Sequence, residues 1–270
     1  MVVNRIINIQ LATLGECIKN NNLEALAFAV LIKQKFVSSS LHYSKKRWNK
    51  TNTRALCKMF KISQSKLQQV TSNGLKLGLL RKDNDCIIAN PLREYNTLRV
   101  KIPFAKRFYT LKDVVRVLRN AWATYYISRV NFIEYKVNMH KGGVDSVKSK
   151  SEYKALKKDI APIYDSIRGF SSNISYEAIA NECNITRLEA IRVINTLEAK
   201  GTITKEKNIA VKPYLPQGSL NLLNELKGQF FFNSVNKRTG ELVTLVQYPN
   251  SYKISNLVNK LIRVDKTLSK

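Results

Sequence analysis

The stretch "NECNITRLEAIRVINTLEAKG", Asn181–Gly201, is the part of this 270-residue sequence from which the fold is predicted. Thr186, followed three residues on by Glu189, is typical of a helix start, and Gly201 is typical of a helix end. Apolar residues recur between them at helical spacing, at Ala190, Val193, Ile194 and Leu197. Asn184 tolerates the left-handed backbone of a tight turn. The stretch therefore predicts a helix end, a turn and a second, amphipathic helix.

The same pattern occurs 123 residues earlier in the chain. "LCKMFKISQSKLQQVTSNGLKLGLL", Leu56–Leu80, aligns with Ile179–Ile203 without a gap, although only three of the 25 aligned residues are identical. Ser63 takes the place of the helix cap and Gly78 that of the final glycine, while Ser175 is a natural cap for the first helix of the later copy. "RKDNDCIIANP" and "TITKEKNIAVKP" then follow the two copies, and each predicts a β-hairpin.

This order of helix, turn, helix, glycine and hairpin resembles the winged helix-turn-helix family. The later copy, "IANECNITRLEAIRVINTLEAKGTI", is similar to the signature of MarR-type bacterial regulators, LAxxLGLSxSTVSRxLxxLExxGLI. Two such domains joined by a long helix also resemble the theta-type plasmid and phage replication initiators. That resemblance implies that one winged domain binds DNA and that the other serves largely for dimer contact. A plain helical hairpin is the alternative for each copy, because it uses the same apolar spacing.

The predicted fold class is mainly α with small β wings (α+β). It comprises two winged-helix domains joined by a long helix, plus a C-terminal β-hairpin region. The expected boundaries are 1–108 for a basic first winged-helix domain, 109–150 for the long connecting helix and linker, 151–216 for the second winged-helix domain, and 217–270 for the C-terminal hairpin and basic tail. Thr110 and Asp113 predict the cap of the long helix. The C-terminal hairpin is expected to turn at 237–240, and a short basic helix is expected over Ile254–Val264.

The charge of the chain predicts a polyanionic partner. Lys and Arg number 46 against 19 Asp and Glu, a net charge of +27, and such an excess repels itself in a folded protein. Residues 25–82 carry thirteen Lys and Arg and no acid, whereas residues 171–212 carry six basic and five acidic residues. We therefore expect double-stranded DNA to bind mainly to the first copy. A membrane partner is not expected, because the longest apolar run, Ala25–Ile32, is too short to span a bilayer.

The second helix of the first copy is predicted to enter the major groove by its N-terminal residues. Glutamine pairs bidentately with adenine, and Lys66 can reach guanine or phosphate. The expected base-facing residues are Gln64, Ser65, Lys66, Gln68, Gln69 and Ser72. The expected phosphate-facing residues are Asn52, Thr53 and Arg54, together with Lys45, Lys46 and Arg47 of a basic loop and Arg81 and Lys82 of the hairpin. The matching residues of the second copy are Arg187, Arg192, Asn195, Lys205 and Lys207.

No catalytic chemistry is predicted. The sequence has no phosphate-binding GxxxxGK[ST], no GxSxG and no HExxH motif, and its four cysteines are scattered, with only His42 and His140 to join them. We expect a non-enzymatic protein with no metal and no cofactor. Carboxylates that meet only in the folded chain leave an unrecognised enzyme as an alternative.

The expected role is that of a replication initiator or a transcriptional regulator of a phage or plasmid, in the cytoplasm of a bacterial host. The alternative is a sequence-independent nucleic-acid packaging or virion-associated protein. The second winged domain is expected to contact a second copy of the chain, or a replication or transcription protein. Leu188 favours such a protein contact, because an apolar residue stands where DNA would lie.

Overall fold

The computed structural model describes residues 3–35, 40–42, 50–83, 86–92, 97–104, 110–141, 172–214, 230–254 and 262–263. Within these segments the helices are α1 Leu11–Lys19, α2 Leu23–Lys35, α3 Lys50–Phe60, α4 Gln64–Lys76, α5 Leu111–Lys141, α6 Tyr176–Cys183 and α7 Arg187–Ala199. The strands are β1 Val3–Gln10, β2 Ser40–His42, β3 Leu80–Asp83, β4 Cys86–Ala89, β5 Thr97–Phe104, β6 Ser172–Asn173, β7 Ile203–Pro213, β8 Phe230–Val235, β9 Leu242–Ile254 and β10 Ile262–Arg263. Helices with small antiparallel sheets make an α+β fold.

The chain forms two compact units. Unit 1 contains Met1–Tyr125, Asn181–Thr186 and Leu257–Lys270, and unit 2 contains Tyr126–Ala180 and Arg187–Asn256. The division into four segments expected from the sequence stays a prediction. None of the helices that the structure describes has the length and apolar character needed to cross a membrane.

The core of unit 1 is built around α2. Every residue of Ala25–Ile32 has at most 2% of its surface exposed, so this helix is enclosed on all sides. The segment Ala25–Ile32 of this helix is apolar all round, which is typical of a helical segment with no solvent face. The ring of Phe28 meets that of Phe60 edge-on, with the two centroids 5.5 Å apart, and this contact attaches the end of α3 to α2.

Unit 1 also contains two small sheets. In the first, β1 pairs along its whole length with β5, and β10 pairs with the other edge of β5. In the second, β4 lies between β2 and β3, so β3 and β4 form the predicted hairpin of the first copy. The prediction of a helix over Ile254–Val264 is wrong near both ends of that range, where the structure has strand residues. Ile254 ends β9, and Ile262–Arg263 pair with Leu98 and Thr97, because strand pairing with a distant segment overrides the local helical pattern.

The two sequence copies have the same backbone, in register, at the predicted offset of 123 residues. Helices α3 and α6 end at Phe60 and Cys183, and α4 and α7 have equal length and begin at equivalent residues. Lys61 and Asn184 both adopt left-handed backbone, with φ of 52° and 49°. Gly78 and Gly201 do the same at the far end of the second helix, with φ of 66° and 63°. The predicted turns and glycine stops are therefore confirmed.

Hydrogen bonds at the helix ends explain this agreement. At the end of α4 the Leu79 amide donates to the Gly74 carbonyl, and at the end of α7 the Thr202 amide donates to the Leu197 carbonyl, both at 2.9 Å. These bonds satisfy carbonyls that a helix end leaves without a partner. The left-handed glycine between each donor and acceptor turns the chain back far enough for the bond to form.

The predicted helix caps at Ser63, Ser175 and Thr110 are confirmed. The Ser63 hydroxyl accepts from the Lys66 amide at 3.2 Å, and the Ser175 hydroxyl accepts from the Ala178 amide at 3.0 Å. At the start of α5 the Asp113 amide donates to the Thr110 hydroxyl, and the Thr110 amide donates back to the Asp113 carboxylate.

The sheet of unit 2 has β9 at its centre. β7 pairs with one edge of β9, while β6 and β8 share the other edge. The predicted C-terminal hairpin is confirmed, because β8 and β9 are joined through 236–241 with Gly240 at a φ of 73°. This hairpin therefore lies in the same sheet as β7.

The hairpin predicted for the second copy is wrong. β7 is one continuous strand, and its charged middle forms an irregularity in the pairing between Glu206 and Asn208 instead of a turn. Side chains hold this stretch along β9. The Asn208 amide donates to the Pro249 carbonyl and the Ser251 hydroxyl, and the Lys253 ammonium lies 2.6 Å from the Glu206 carboxylate.

Phe28→Ala should destabilise unit 1 by about 3–5 kcal/mol, because it removes a fully buried ring and leaves a cavity in the core. Urea unfolding followed by circular dichroism measures this loss. Leu188→Ala is the control, because Leu188 is 58% exposed and its loss should change stability by about 0.5 kcal/mol or less. Equal effects of the two changes would contradict the central place of α2.

Unfolding should become easier above about pH 9 through the buried Cys17 thiol. Burial, with a smaller contribution from the Glu16 charge, raises the pKa of Cys17 to about 11. Because the unfolded thiol ionises first, about 1.4 kcal/mol of stability is lost for each pH unit between the two pKa values. The measurement is the unfolding free energy of the wild type and of Cys17→Ala from pH 8 to pH 11, about the range of the two pKa values. The difference between the two proteins gives the loss of stability per pH unit that is due to Cys17. A difference that does not change with pH would refute it.

Candidate nucleic-acid interface

Helix α4 of unit 1 presents four different sides. Leu67, Val70 and Gly74 are buried and form its inner side. A Cβ at position 74 would lie 2.6 Å from Cδ1 of Leu80 on β3, so any larger residue there has to displace the Leu80 side chain. The close approach of α4 to β3 explains why the first copy has glycine where the winged-helix signature has leucine.

The outward side of α4 carries only uncharged polar and basic side chains. Its exposed residues follow the helical repeat and are Ser65, Gln69, Ser72 and Lys76. Lys76 was not among the residues expected to contact DNA, although its position on the same side as Ser65 and Ser72 follows from helical spacing. The Ser63 cap fixes the N-terminal end of α4, and the outward side begins at that end.

A cleft of about 490 Å³ separates α4 from the β3–β4 hairpin. It is lined by Thr53, Gln64, Leu67, Gln68, Thr71, Ser72, Leu75, Lys82 and Ile87. Gln64 and Gln68 lie one helical turn apart on this side, and both are exposed. Thr53, expected at a phosphate, is only 7% exposed and faces the cleft instead of the outer surface.

The fourth side of α4 faces the start of α2. The Lys66 ammonium forms an ion pair with the Glu24 carboxylate and donates to Oε1 of Gln69 at 3.1 Å. Two helical turns beyond Lys66, the Asn73 amide donates to Oδ1 of Asn22 at 3.4 Å. Lys66 was expected at guanine or phosphate, and the structure places its ammonium group on Glu24.

Basic side chains surround α4 in unit 1. Exposed cations lie on α3 and on β3, at Arg54, Lys58, Arg81 and Lys82. Of the other residues expected to contact DNA, Asn52 lies in α3 but its side chain is outside the described residues. Lys45, Lys46 and Arg47 lie outside them altogether. In the part of unit 1 that the structure does describe, α3, α4 and β3 bring the expected polar and basic residues onto neighbouring elements.

Two of the four equivalent cations of the second copy, Arg187 and Lys205, are paired with acids. Nε of Arg187 lies 2.6 Å from the Glu177 carboxylate, and the Lys205 ammonium lies 2.9 Å from the Glu198 carboxylate. Lys205 also donates to Oδ1 of Asn195 at 3.3 Å. Its hydrogen bond to Glu198 outweighs partial burial and raises the pKa of Lys205. Arg192 and Lys207 are exposed. The two copies thus share a backbone and differ in how their charges are used.

The turn of the second copy belongs to unit 1. The Asn184 side-chain amide donates to the carbonyls of Ile18 and Lys19, each at 3.1 Å, and to Oδ1 of Asn21 at the same distance. The Trp122 indole donates to the Glu182 carbonyl at 3.2 Å. This turn is therefore fixed by specific bonds to the end of α1 and to α5.

No protein-family model, no curated protein and no solved structure matches this chain. Among the residues that the structure describes, no three His, Cys, Asp or Glu side chains lie together in a way that could hold a metal ion.

Gly74→Ala should lower the stability of unit 1 by about 1–2 kcal/mol. The new methyl group must displace Leu80, and overpacking of this kind outweighs the better helix propensity of alanine. Chemical denaturation gives the value. Ser72→Ala is the control on the exposed side of the same helix and should stay within about 0.5 kcal/mol of wild type. A more stable Gly74→Ala protein would show that the approach to β3 is not tight.

Proposed function

We propose that the chain is a non-enzymatic, sequence-reading protein that binds double-stranded DNA through α4 and the β3–β4 hairpin of unit 1. The observation that carries the proposal is the composition of α4. Its outward side consists of uncharged polar and basic residues, its hairpin side carries Gln64 and Gln68 beside the partly exposed Leu75, neither side has an acid, and cations on α3 and β3 flank them. A solvent-facing helix without any acid is unusual on a surface that serves only solubility, where both signs are mixed.

The dimensions of α4 suit the major groove of DNA. Its thirteen residues make a rod about 20 Å long and about 10–12 Å wide, and the major groove is about 12 Å wide. With α4 in the groove, Arg54 and Lys58 on α3 are available for the phosphates on one side. Arg81 and Lys82, which are exposed on the hairpin, would face the flanking backbone on the other side. This is the arrangement of a winged helix, and we assign that fold to the first copy as part of the proposal; the second copy shares the helix-turn-helix backbone but not the hairpin.

Charge supports a large electrostatic contribution to binding. An excess of 27 positive charges destabilises the isolated protein by self-repulsion, and DNA phosphates would neutralise part of it. Each phosphate contact releases condensed counterions, so affinity falls steeply as salt rises. The acid pairs of Arg187 and Lys205 leave the second copy with less charge for this purpose.

For the second copy we assign contact with protein. Leu188, the second residue of α7, is 58% exposed at the place where a base-reading helix carries polar side chains. A second copy of the chain, or a replication or transcription protein, is the proposed partner. One copy that binds DNA and another that binds protein would suit two biological roles. These are a replication initiator and a transcriptional regulator of a phage or plasmid.

Selection of bound duplexes from a random pool, repeated at two salt concentrations, tests the proposal. We expect enrichment of one motif, with affinity that falls as salt rises. Recovery without any enrichment would favour the packaging alternative, and failure to retain duplex at low salt would overturn DNA binding altogether. Incubation of the same duplexes with Mg²⁺ and Mn²⁺ checks for cleavage, which an enzyme with an unrecognised site would produce.

Gln64→Ala with Gln68→Ala should weaken binding to the enriched motif by about 10²–10⁴-fold, because each lost bidentate contact costs about 1–3 kcal/mol. Affinity for unrelated duplex should stay unchanged, since neither side chain is charged. Fluorescence anisotropy with both duplexes measures the two affinities. Arg187→Ala with Arg192→Ala is the comparison in the second copy. If that pair weakens motif binding more than the glutamine pair does, the main DNA contact belongs to the second copy.

A further inference from the structure

Glu24 is an acidic residue that contacts the proposed base-reading helix, and the sequence pattern did not single it out. It lies in the first turn of α2, immediately before the acid-free segment 25–82. Its carboxylate forms the ion pair with Lys66, whose side chain is 31% exposed. Lys66 is the only cation in the first two turns of α4, which is the part of such a helix that reaches base edges.

The remaining base-facing groups of α4 favour adenine. Guanine is read chiefly by Arg or Lys, cytosine by Asp or Glu, and adenine by Asn or Gln. The two turns from Gln64 to Val70 contain no Arg, Asp or Glu. Gln69 already accepts a hydrogen bond from Lys66 through Oε1. Among the described residues, Gln64 and Gln68 have no hydrogen-bond partner, so each keeps both the donor and the acceptor that adenine needs.

We propose that Glu24 makes α4 a reader of A·T base pairs by holding Lys66 away from guanine and phosphate. This inference rests on the proposed function, in which α4 enters the major groove. Glu24 contacts no DNA and acts as a positioning residue through Lys66. An acid outside the DNA-binding surface thereby sets which bases that surface accepts.

The spacing of the two glutamines sets the form of the site. Residues four apart on a helix rise by about 6 Å, and neighbouring base pairs lie about 3.4 Å apart along the duplex. Gln64 and Gln68 therefore reach A·T pairs about two steps apart. The Leu75 side chain lines the same cleft and is 38% exposed, which allows an apolar contact with a thymine methyl group.

Glu24→Gln is the decisive variant, because it keeps the shape of the side chain and removes the charge that holds Lys66. Selection from a random pool should give an A·T-rich motif for the wild type and a motif that admits G·C at one position for Glu24→Gln. The plot of log affinity against log salt should become steeper by about one phosphate contact. Glu24→Gln with Lys66→Ala should restore the wild-type motif and slope, which a general loss of structure in the single variant would not allow.

Glu16→Gln is the matched control. It changes the net charge by the same amount at an exposed residue of α1, and it should leave both motif and slope as in the wild type. A second measurement needs no variant. Acetylation of lysines in the wild-type protein, with and without duplex, should show protection of Lys58 by DNA and an unchanged rate at Lys66.

The outcomes separate this inference from the function on which it rests. A wild-type motif rich in G·C, a Glu24→Gln protein that selects and binds as the wild type does, or protection of Lys66 as strong as that of Lys58 each overturns the role of Glu24 and leaves DNA binding in place. Failure of the wild-type protein to bind duplex overturns both.

Discussion

The complete enclosure of α2 is the constraint on which the rest of unit 1 depends. A helix that is apolar all round has to be covered on every side, and α1, α4, β2 and β4 supply that cover. The Phe28–Phe60 contact then fixes the end of α3 against the same helix. Because α2 cannot rotate without exposing its core, the polar residues at its start, Asn22 and Glu24, meet α4 in one fixed position. The chemistry of the proposed interface is thus tied to the packing of the core.

Much of this fold could be predicted from local sequence signals. Helix caps, left-handed turns and glycine stops depend on residues within one or two turns of each other, so Ser63, Thr110 and Gly201 marked helix ends correctly. The signals failed where the partner is distant. The β1–β5 pairing joins Val3 to Phe104, and no local sequence pattern predicts it. The strand β7 has the composition of a turn in its middle, and it stays extended because β9 lies beside it.

The candidate site was predictable to the same degree. The outward and hairpin sides of α4 follow from helical periodicity, so the exposed Gln64, Gln68 and Ser72 could be identified in advance. The partner of Lys66 could not, because Glu24 is 42 residues away in sequence, from 24 to 66, and meets it only through the packing of α2 on α4. The two sequence copies also show that local signals predict the backbone and not the charge partners. Three identical residues in 25 suffice for one backbone, since it needs only buried positions and left-handed turns, while charge varies freely on the surface.

The turn between α3 and α4 differs from its counterpart in one respect that carries a cost. Lys61 adopts the left-handed backbone that asparagine adopts at position 184, and a long side chain there costs about 1–2 kcal/mol. The lysine charge also acts at the start of α5. Burial pushes the pKa of Asp113 upward, but the Thr110 hydrogen bonds and the charges of Arg116 and Lys61 outweigh it and lower that pKa. A residue in one turn thus adds the smallest of these effects to the ionised cap of another helix that is far from it in sequence.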